Sequence, residues 1–199
     1  MGMRNLLSRP SAPVLLVFLL LIAPASASAD EFYGNFNLLL GQKMMDEDDW
    51  DPVDLHDAAG IEATWGGSEW PFHIATDVFY STDEEDNSSL DADVTTIEVG
   101  LGIREIRSLD NFNWYLGVGI GLIQAELEIE TSSGDFEEDD SGIGGWASAG
   151  VFWRFGAHFN VGAGIRYSKA DVDLFEEEFD AGGFNYGILL GMGFPAYGQ

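Results

Sequence analysis

From Phe184 to Phe194 bulky and small residues alternate without a break. Phe184, Tyr186, Ile188, Leu190, Met192 and Phe194 fall on one face, and Asn185, Gly187, Leu189, Gly191 and Gly193 on the other. Successive side chains of a strand point to opposite faces, so period two is a strand signature. A soluble antiparallel strand turns its apolar face to a core and its polar face to water. Here the bulky face is greasy and the opposite face is mostly glycine, which suits a barrel that is apolar on the outside.

The same alternation predicts eight strands, at about 31–43, 58–66, 71–80, 93–104, 113–127, 142–154, 160–169 and 183–194, with boundaries good to a few residues. The connections alternate in kind. MMDEDDWDPVDLHD, STDEEDNSSLDA, ETSSGDFEEDDS and ADVDLFEEEFDA follow the odd-numbered strands, whereas GGSEW, EIRSLDNF and FGAHF follow the second, fourth and sixth. An even number of strands, long loops at one end and short turns at the other is the layout of a bacterial outer-membrane barrel, with the long loops outside and the turns in the periplasm. The expected fold is therefore all-β: an eight-stranded antiparallel up-and-down transmembrane barrel with long acidic extracellular loops and short periplasmic turns.

Parity assigns the facing. Ile97, Val99, Leu101 and Ile103, Leu116, Val118, Ile120 and Leu122, and Val161, Ala163, Ile165 and Tyr167 are expected to meet lipid. Their inward partners, among them Gly100, Gly102, Gly117, Gly119, Trp146, Ser148, Gly150, Phe152 and Gly164, are too small and polar for a soluble hydrophobic core. In the fifth strand the rule inverts beyond Leu122, where Gln124, Glu126 and Glu128 share its parity while Ala125, Leu127 and Ile129 take the other side. Either a bulge reverses the facing or the strand has left the membrane there. Trp70, Phe72, Phe112, Trp114, Tyr115, Trp153, Phe155 and Phe159 gather near the short turns, where an interfacial aromatic girdle belongs.

The first 29 residues fit none of this. Arg4 and Arg9, the apolar run Val14 to Ile22 and the small-residue site Ala27-Ser28-Ala29 before Asp30 make a cleavable signal peptide over 1–29, leaving a barrel domain over 30–199. Export to the bacterial outer membrane follows. The formal net charge is −27, and loss of Arg4 and Arg9 takes it to about −29. Such a chain repels phosphate backbones, which excludes nucleic acid as a partner. With no cysteine there is no lipid anchor on Cys, no disulfide and no thiolate metal site.

Candidate chemistry is sparse. Glu62, Asp77, Glu98 and Arg166 are expected to point into the lumen at similar depth, where a charge must find a partner or water, so an ion pair from Arg166 to Asp77 or Glu98 would plug the barrel. A gated ion path is the other reading of the same residues. Runs such as Asp46, Glu47, Asp48, Asp49 and Asp51, or Glu137 to Asp140, carry oxygen ligands for calcium or magnesium but lack the spacing of a built loop, so diffuse association with divalent cations is expected and no cofactor. His56 with Asp54 or Asp57 and Ser88 is the one grouping that could serve a surface lipid hydrolase.

In layout and in its last strand the chain resembles the small outer-membrane β-barrel proteins, the group of the OmpA transmembrane domain, OmpX and OmpW-like proteins. Asn185, Gly187, Leu190 and Met192, with Phe194 as the nearby aromatic, match that group's assembly signal, and the chain departs from it by continuing through Pro195 to Gln199. The resemblance implies insertion by the Bam machinery. The leading function is a non-enzymatic structural or surface-interaction role in the envelope, with outer-membrane lipid and lipopolysaccharide as surroundings and a monomer as the working form. A narrow channel for small apolar or cationic solutes is the alternative, and a lipid-modifying enzyme the third reading.

Overall fold

A computed structural model of the chain describes residues 32–194 except 51, 68–69, 88–89, 132–133, 157 and 176. The expected signal peptide and the segment after Phe194 lie outside the described residues. Among the described residues ten strands and one short helix follow in order: β1 (Phe32–Met44), α1 (Glu47–Trp50), β2 (Leu55–Gly67), β3 (His73–Asn87), β4 (Leu90–Leu109), β5 (Phe112–Thr131), β6 (Gly134–Phe155), β7 (Phe159–Lys169), β8 (Asp171–Leu174), β9 (Glu177–Asp180) and β10 (Gly183–Phe194). Strands β1 to β7 and β10 close an antiparallel barrel in which each pairs with its neighbours in sequence, and β10 closes the ring on β1 from Gly34↔Phe194 to Met44↔Phe184. β8 and β9 form a separate hairpin.

A closed ring leaves no unpaired edge, which is what a sheet in hydrocarbon requires. Leu101, Leu116, Val118, Ile120, Ile165, Ile188 and Met192 are exposed on the outside, while Glu62, Asp77, Glu98, Trp146, Ser148, Phe152 and Arg166 are buried inside. Tyr115 departs from the expected girdle. It is buried and points inward, because it neighbours Trp114 and must take the opposite face.

Two segments that read as acidic loops are mostly strand. The ladders of β3 with β4 and of β5 with β6 run unbroken to Asn87↔Leu90 and Thr131↔Gly134, so 81–87 with 90–92, and 130–131 with 134–141, are the upper halves of long hairpins. The inversion in β5 is no bulge, since the register with β4 and β6 is continuous through Ile123, Ala125 and Leu127. The strand leaves the membrane with its facing unchanged and its inner side turns apolar. There Ile123 and Ala125 join Val94, Met45, Trp50, Val53, Ala170, Val172, Leu174 and Ala181 in one buried cluster. The remaining two long connections supply that cluster's roof: α1 follows β1, and the β8–β9 hairpin follows β7. Trp50 Nε1 donates to Asp180 O at 2.8 Å and packs on Phe179 at 5.3 Å, tying helix to hairpin.

The topology makes a labelling prediction. In intact cells a membrane-impermeant maleimide should react with cysteine placed at Glu47 or Glu178, on the long-loop end, and spare cysteine at Asn111 or His158. Labelling of His158→Cys with protection of Glu178→Cys would reverse the orientation.

Candidate functional site

The lumen is filled in layers. At its centre Asp77 on β3 accepts from two arginines, Arg104 Nη2 at 3.0 Å and Arg166 Nη1 at 2.9 Å, both through Oδ2. Arg166, on β7, also donates from Nε to Glu98 Oε2 on β4 at 3.1 Å. Arg104 reaches Thr64 Oγ1 at 2.9 Å, Ser148 Oγ at 3.3 Å and Glu62 Oε1 at 3.4 Å. The Tyr115 hydroxyl donates to Glu62 Oε2 at 3.1 Å. Glu62, Asp77, Glu98 and Arg166 thus meet in one buried network, and its hub includes Arg104, which the sequence reading passed over although it shares parity with Glu98.

Trp146 lies between the two guanidinium groups, 5.9 Å from that of Arg104 and 4.4 Å from that of Arg166, and donates Nε1 to Ile120 O at 3.1 Å. Its ring rests on glycines of β4 and β5, for a β-carbon on Gly102 or Gly119 would sit 2.6 Å from it. The alternation of large and absent side chains is how a barrel of eight strands, just wide enough for its own side chains, packs its interior.

Above this network Lys43 Nζ donates to Thr96 Oγ1 at 3.0 Å and to Ala181 O at 2.8 Å, so a lumen cation holds the end of the β8–β9 hairpin. Thr96 shares a hydrogen bond with Ser81 at 2.8 Å, and Ser81 with His56 Nδ1 at 3.0 Å. The other ring nitrogen of His56 faces Val53 O at 3.0 Å. His56 and Ser81 are both buried, and among the described residues the imidazole is hydrogen-bonded to Ser81 and Val53 rather than to a carboxylate. Ser88 lies outside the described residues. Below the network, Arg154 donates to Asn160 Oδ1 at 3.0 Å, and Asn160 Nδ2 to Asn35 Oδ1 at 3.1 Å. Leu39, Phe79, Tyr115, Phe152 and Leu189 form a buried apolar cluster against the network, with the Arg166 guanidinium 5.0 Å over the Phe79 ring and that of Arg104 4.7 Å over Tyr115.

The last strand places Asn185 in the lumen, fully buried and in register with Lys43 and Arg166, while Leu190, Met192 and Phe194 are exposed on the lipid face. Gly187 faces Gly41 and Gly164 across its two ladders.

The architecture agrees with what comparison of the sequence finds: the family model for the outer membrane protein beta-barrel domain matches residues 14–194. The chain belongs to that family. Family membership and fold place it in the bacterial outer membrane, and its barrel is similar to solved ones. Ail, the attachment invasion locus protein of Yersinia pestis, solved with the heparin analogue sucrose octasulfate, superposes with a TM-score of 0.59 at 16% identity, over 82% of this chain and 99% of that one. Neisserial surface protein A superposes with a TM-score of 0.51 at 15% identity, over 84% of this chain and 97% of that one. Among curated proteins no sequence matches.

On this family barrel the upper hairpins carry two opposed faces. The outer face bears rows of like charge: Glu84↔Asp93, Asp93↔Glu128 and Glu128↔Glu137 are directly paired across four strands, with Glu126↔Asp139 beneath. No group of three acidic or histidine side chains suited to a metal ion is present among the described residues. Partial burial and the charges of Glu137, Asp139, Glu128 and Asp93 push the Glu126 carboxyl above its usual range. On the inner face the backbone N–H groups of Asp173 and Ser141 hold the Asp140 carboxyl below its usual 3.8. Asp140 Oδ2 accepts from Asp173 N at 2.8 Å and Glu138 Oε2 from Phe175 N at 2.7 Å, so two carboxylates dock β8 against β6.

Two predictions follow from these contacts. Arg166→Ala strands Glu98 and half of Asp77, and should cost about 3–5 kcal/mol in urea unfolding from lipid vesicles, as expected when one side of a buried pair is removed. A double-mutant cycle with Asp77→Asn should give strong coupling. Independent effects of the two substitutions would show that the pair contributes nothing. The pH response of the upper hairpins should have two limbs. A carboxyl raised by folding destabilises the native state above its folded value, so lowering the pH from 7 toward the raised Glu126 value should increase amide protection in upper β5 and β6. A depressed carboxyl stabilises above its unfolded value, so docking through Asp140 should persist to 3.8 and be lost only below it, as the pH falls through the depressed value. Hydrogen exchange at Leu127 and Asp173, corrected for intrinsic rates, reads both limbs. A monotonic loss of protection from pH 7 would contradict the assignment.

Proposed function

We propose that this protein is a non-enzymatic surface barrel, anchored by its transmembrane cylinder and meeting its surroundings through the upper hairpins and their roof. The observation that carries this reading is the closure of the lumen. From Asn35 through Asp77 and Trp146 to Lys43 the lumen is occupied by buried side chains, and Leu174 lies in the buried roof cluster above them. A narrow channel for small apolar or cationic solutes would need the paired charges of several layers to move together, each against its desolvation and pairing energy. A lipid-modifying enzyme needs an accessible nucleophile, whereas Ser81 and His56 lie sealed beneath the roof cluster.

Chemistry on the outer face supports a working contact with the envelope. The acid rows begin one row above Tyr80, Ile97 and Gln124, close to the exposed apolar band, so in the outer leaflet they lie at the height of anionic lipopolysaccharide head groups. Divalent cations, held diffusely between like charges, would let loop and lipid pack. The sulfated sugar bound by Ail is not carried over, since a face of carboxylates repels a polyanion. The closed ring offers no strand edge to a second copy, in keeping with a monomer. Asn185, Gly187, Leu190, Met192 and Phe194 are proposed as the segment that the Bam machinery reads.

Planar-bilayer conductance and a deletion strain test the reading together. We expect no conductance above the bilayer background, and a strain more sensitive to detergent and to chelation of divalent cations. Steady single-channel steps abolished by substitutions at Asp77 would establish the channel in its place.

A further inference from the structure

The roof does not cover everything beneath it. Leu127 packs on the roof cluster, but beyond it Ile129 is only half-buried, Phe136 is 55% exposed and Phe175 is 42% exposed. Ile129 and Phe136 are a directly opposed pair on β5 and β6. Two residues along the same face of β6, Glu138 accepts the Phe175 N–H, which brings the hairpin tip to that pair. The three side chains continue the buried cluster upward as an uncovered apolar patch.

Phe175 is also in the wrong place for folding alone. The ladder of β8 and β9 closes at Leu174↔Glu177, so the hairpin has a two-residue turn, and the φ of Phe175 at its first position is 53°. Turns of that length with a left-handed first residue favour glycine, asparagine and aspartate, and a bulky side chain with positive φ is an outlier. Strained residues of this kind cluster where a ligand is held, and here the strained residue is an exposed aromatic.

We propose that Ile129, Phe136 and Phe175 form a docking surface for a polypeptide segment that presents an aromatic or large aliphatic side chain flanked by lysine or arginine. This deepens the proposed surface role and rests on it. The charge beside the patch selects the occupant: the hairpin that carries Phe175 bears the exposed carboxylates Asp173, Glu177 and Glu178, and Glu137 adds another on the outer face of β6 next to Phe136. Of the described bases at this end, Lys43 is buried and Lys169 is engaged with Asp180 at 3.1 Å. A second copy of this chain would bring acid to acid, and anionic lipid would be repelled likewise, whereas a basic segment is steered in and its apolar side chain supplies the contact.

The test uses the barrel in phosphatidylcholine nanodiscs, with empty nanodiscs as the blank, and two synthetic peptides, acetyl-KKFKFKK-amide and acetyl-KKAKAKK-amide, followed by calorimetry at about 0.15 M NaCl. The phenylalanine peptide should bind saturably with one-to-one stoichiometry, and its alanine counterpart about tenfold more weakly or worse, a difference of about 1.4 kcal/mol. Phe175→Gly should weaken the phenylalanine peptide by a similar factor while leaving thermal stability unchanged or raised, because glycine relieves the turn. Phe136→Ser supplies an independent loss at the other edge of the patch. Equal binding of both peptides, or binding unaltered by either substitution, would overturn the patch and leave charge attraction alone. A lowered melting temperature for Phe175→Gly would make Phe175 a structural residue and also overturn it. Failure here with the deletion phenotype intact would sink this inference and spare the surface role; a conducting barrel would sink the role itself.

Discussion

Every other feature of this molecule depends on the requirement that backbone polar groups in hydrocarbon be bonded within the sheet. Sheet edges cannot exist there, so β10 must return to β1, and eight strands closed into a ring fix the bore. The bore then dictates composition. Trp146 needs Gly102 and Gly119 across from it because two side chains cannot share that radius, and the large lumen residues come from strands whose neighbours give way. Bulk that would fill a soluble core is displaced to the outside, where lipid costs it nothing.

The same closure makes lumen charge a matter of pairing rather than hydration. Glu62, Asp77 and Glu98 are matched by Arg104, Arg166 and, one layer higher, Lys43, all nearly inaccessible to solvent. Surface pairs such as exposed Arg107 with partly exposed Glu105 contribute at most about 1 kcal/mol. Buried pairs are different: the assembled network is nearly neutral in net stability, yet breaking it is expensive. A network of that kind fixes one arrangement of strands against alternatives. It also joins the lumen to the surface, since the Lys43 ammonium bonds Ala181 at the base of the roof hairpin.

Within the membrane the chain is legible from period two alone. The eight strands, their facing and the inward positions of Asp77, Glu98 and Arg166 follow because lipid enforces strict alternation. Legibility ends where water replaces lipid. Upper β3 to β6 carry acids on the outer face, and an acid run reads as a loop, but the register of Ala125 and Leu127 opposite Asp140 and Glu138 keeps the strand period. The alternation Ala125, Leu127, Ile129 was a strand signal; its meaning, a small soluble core above the membrane, was visible only once α1 and the β8–β9 hairpin were seen to cover it. Arg104 is illegible in the sequence for another reason. It sits near the end of the predicted fourth strand, and a long side chain reaches several ångströms from its own level to join Asp77. The pairing of His56 with Ser81, 25 residues apart, carries no local motif at all.

The upper hairpins are thus a second, differently solvated domain on a shared set of strands. Their outer rows of directly opposed carboxylates are unfavourable. The inner face offsets this with buried Ile123, Ala125, Val94, Val172 and Leu174, since one buried aliphatic side chain contributes about 1.5–3 kcal/mol. That asymmetry sets what the outer face is free to be. A strand stabilised from its inner side need not optimise its outer one, so like charges can accumulate where the surroundings supply cations. At the hairpin tip the same freedom reaches its limit, because Phe175 gains nothing from the core that Leu174 already fills.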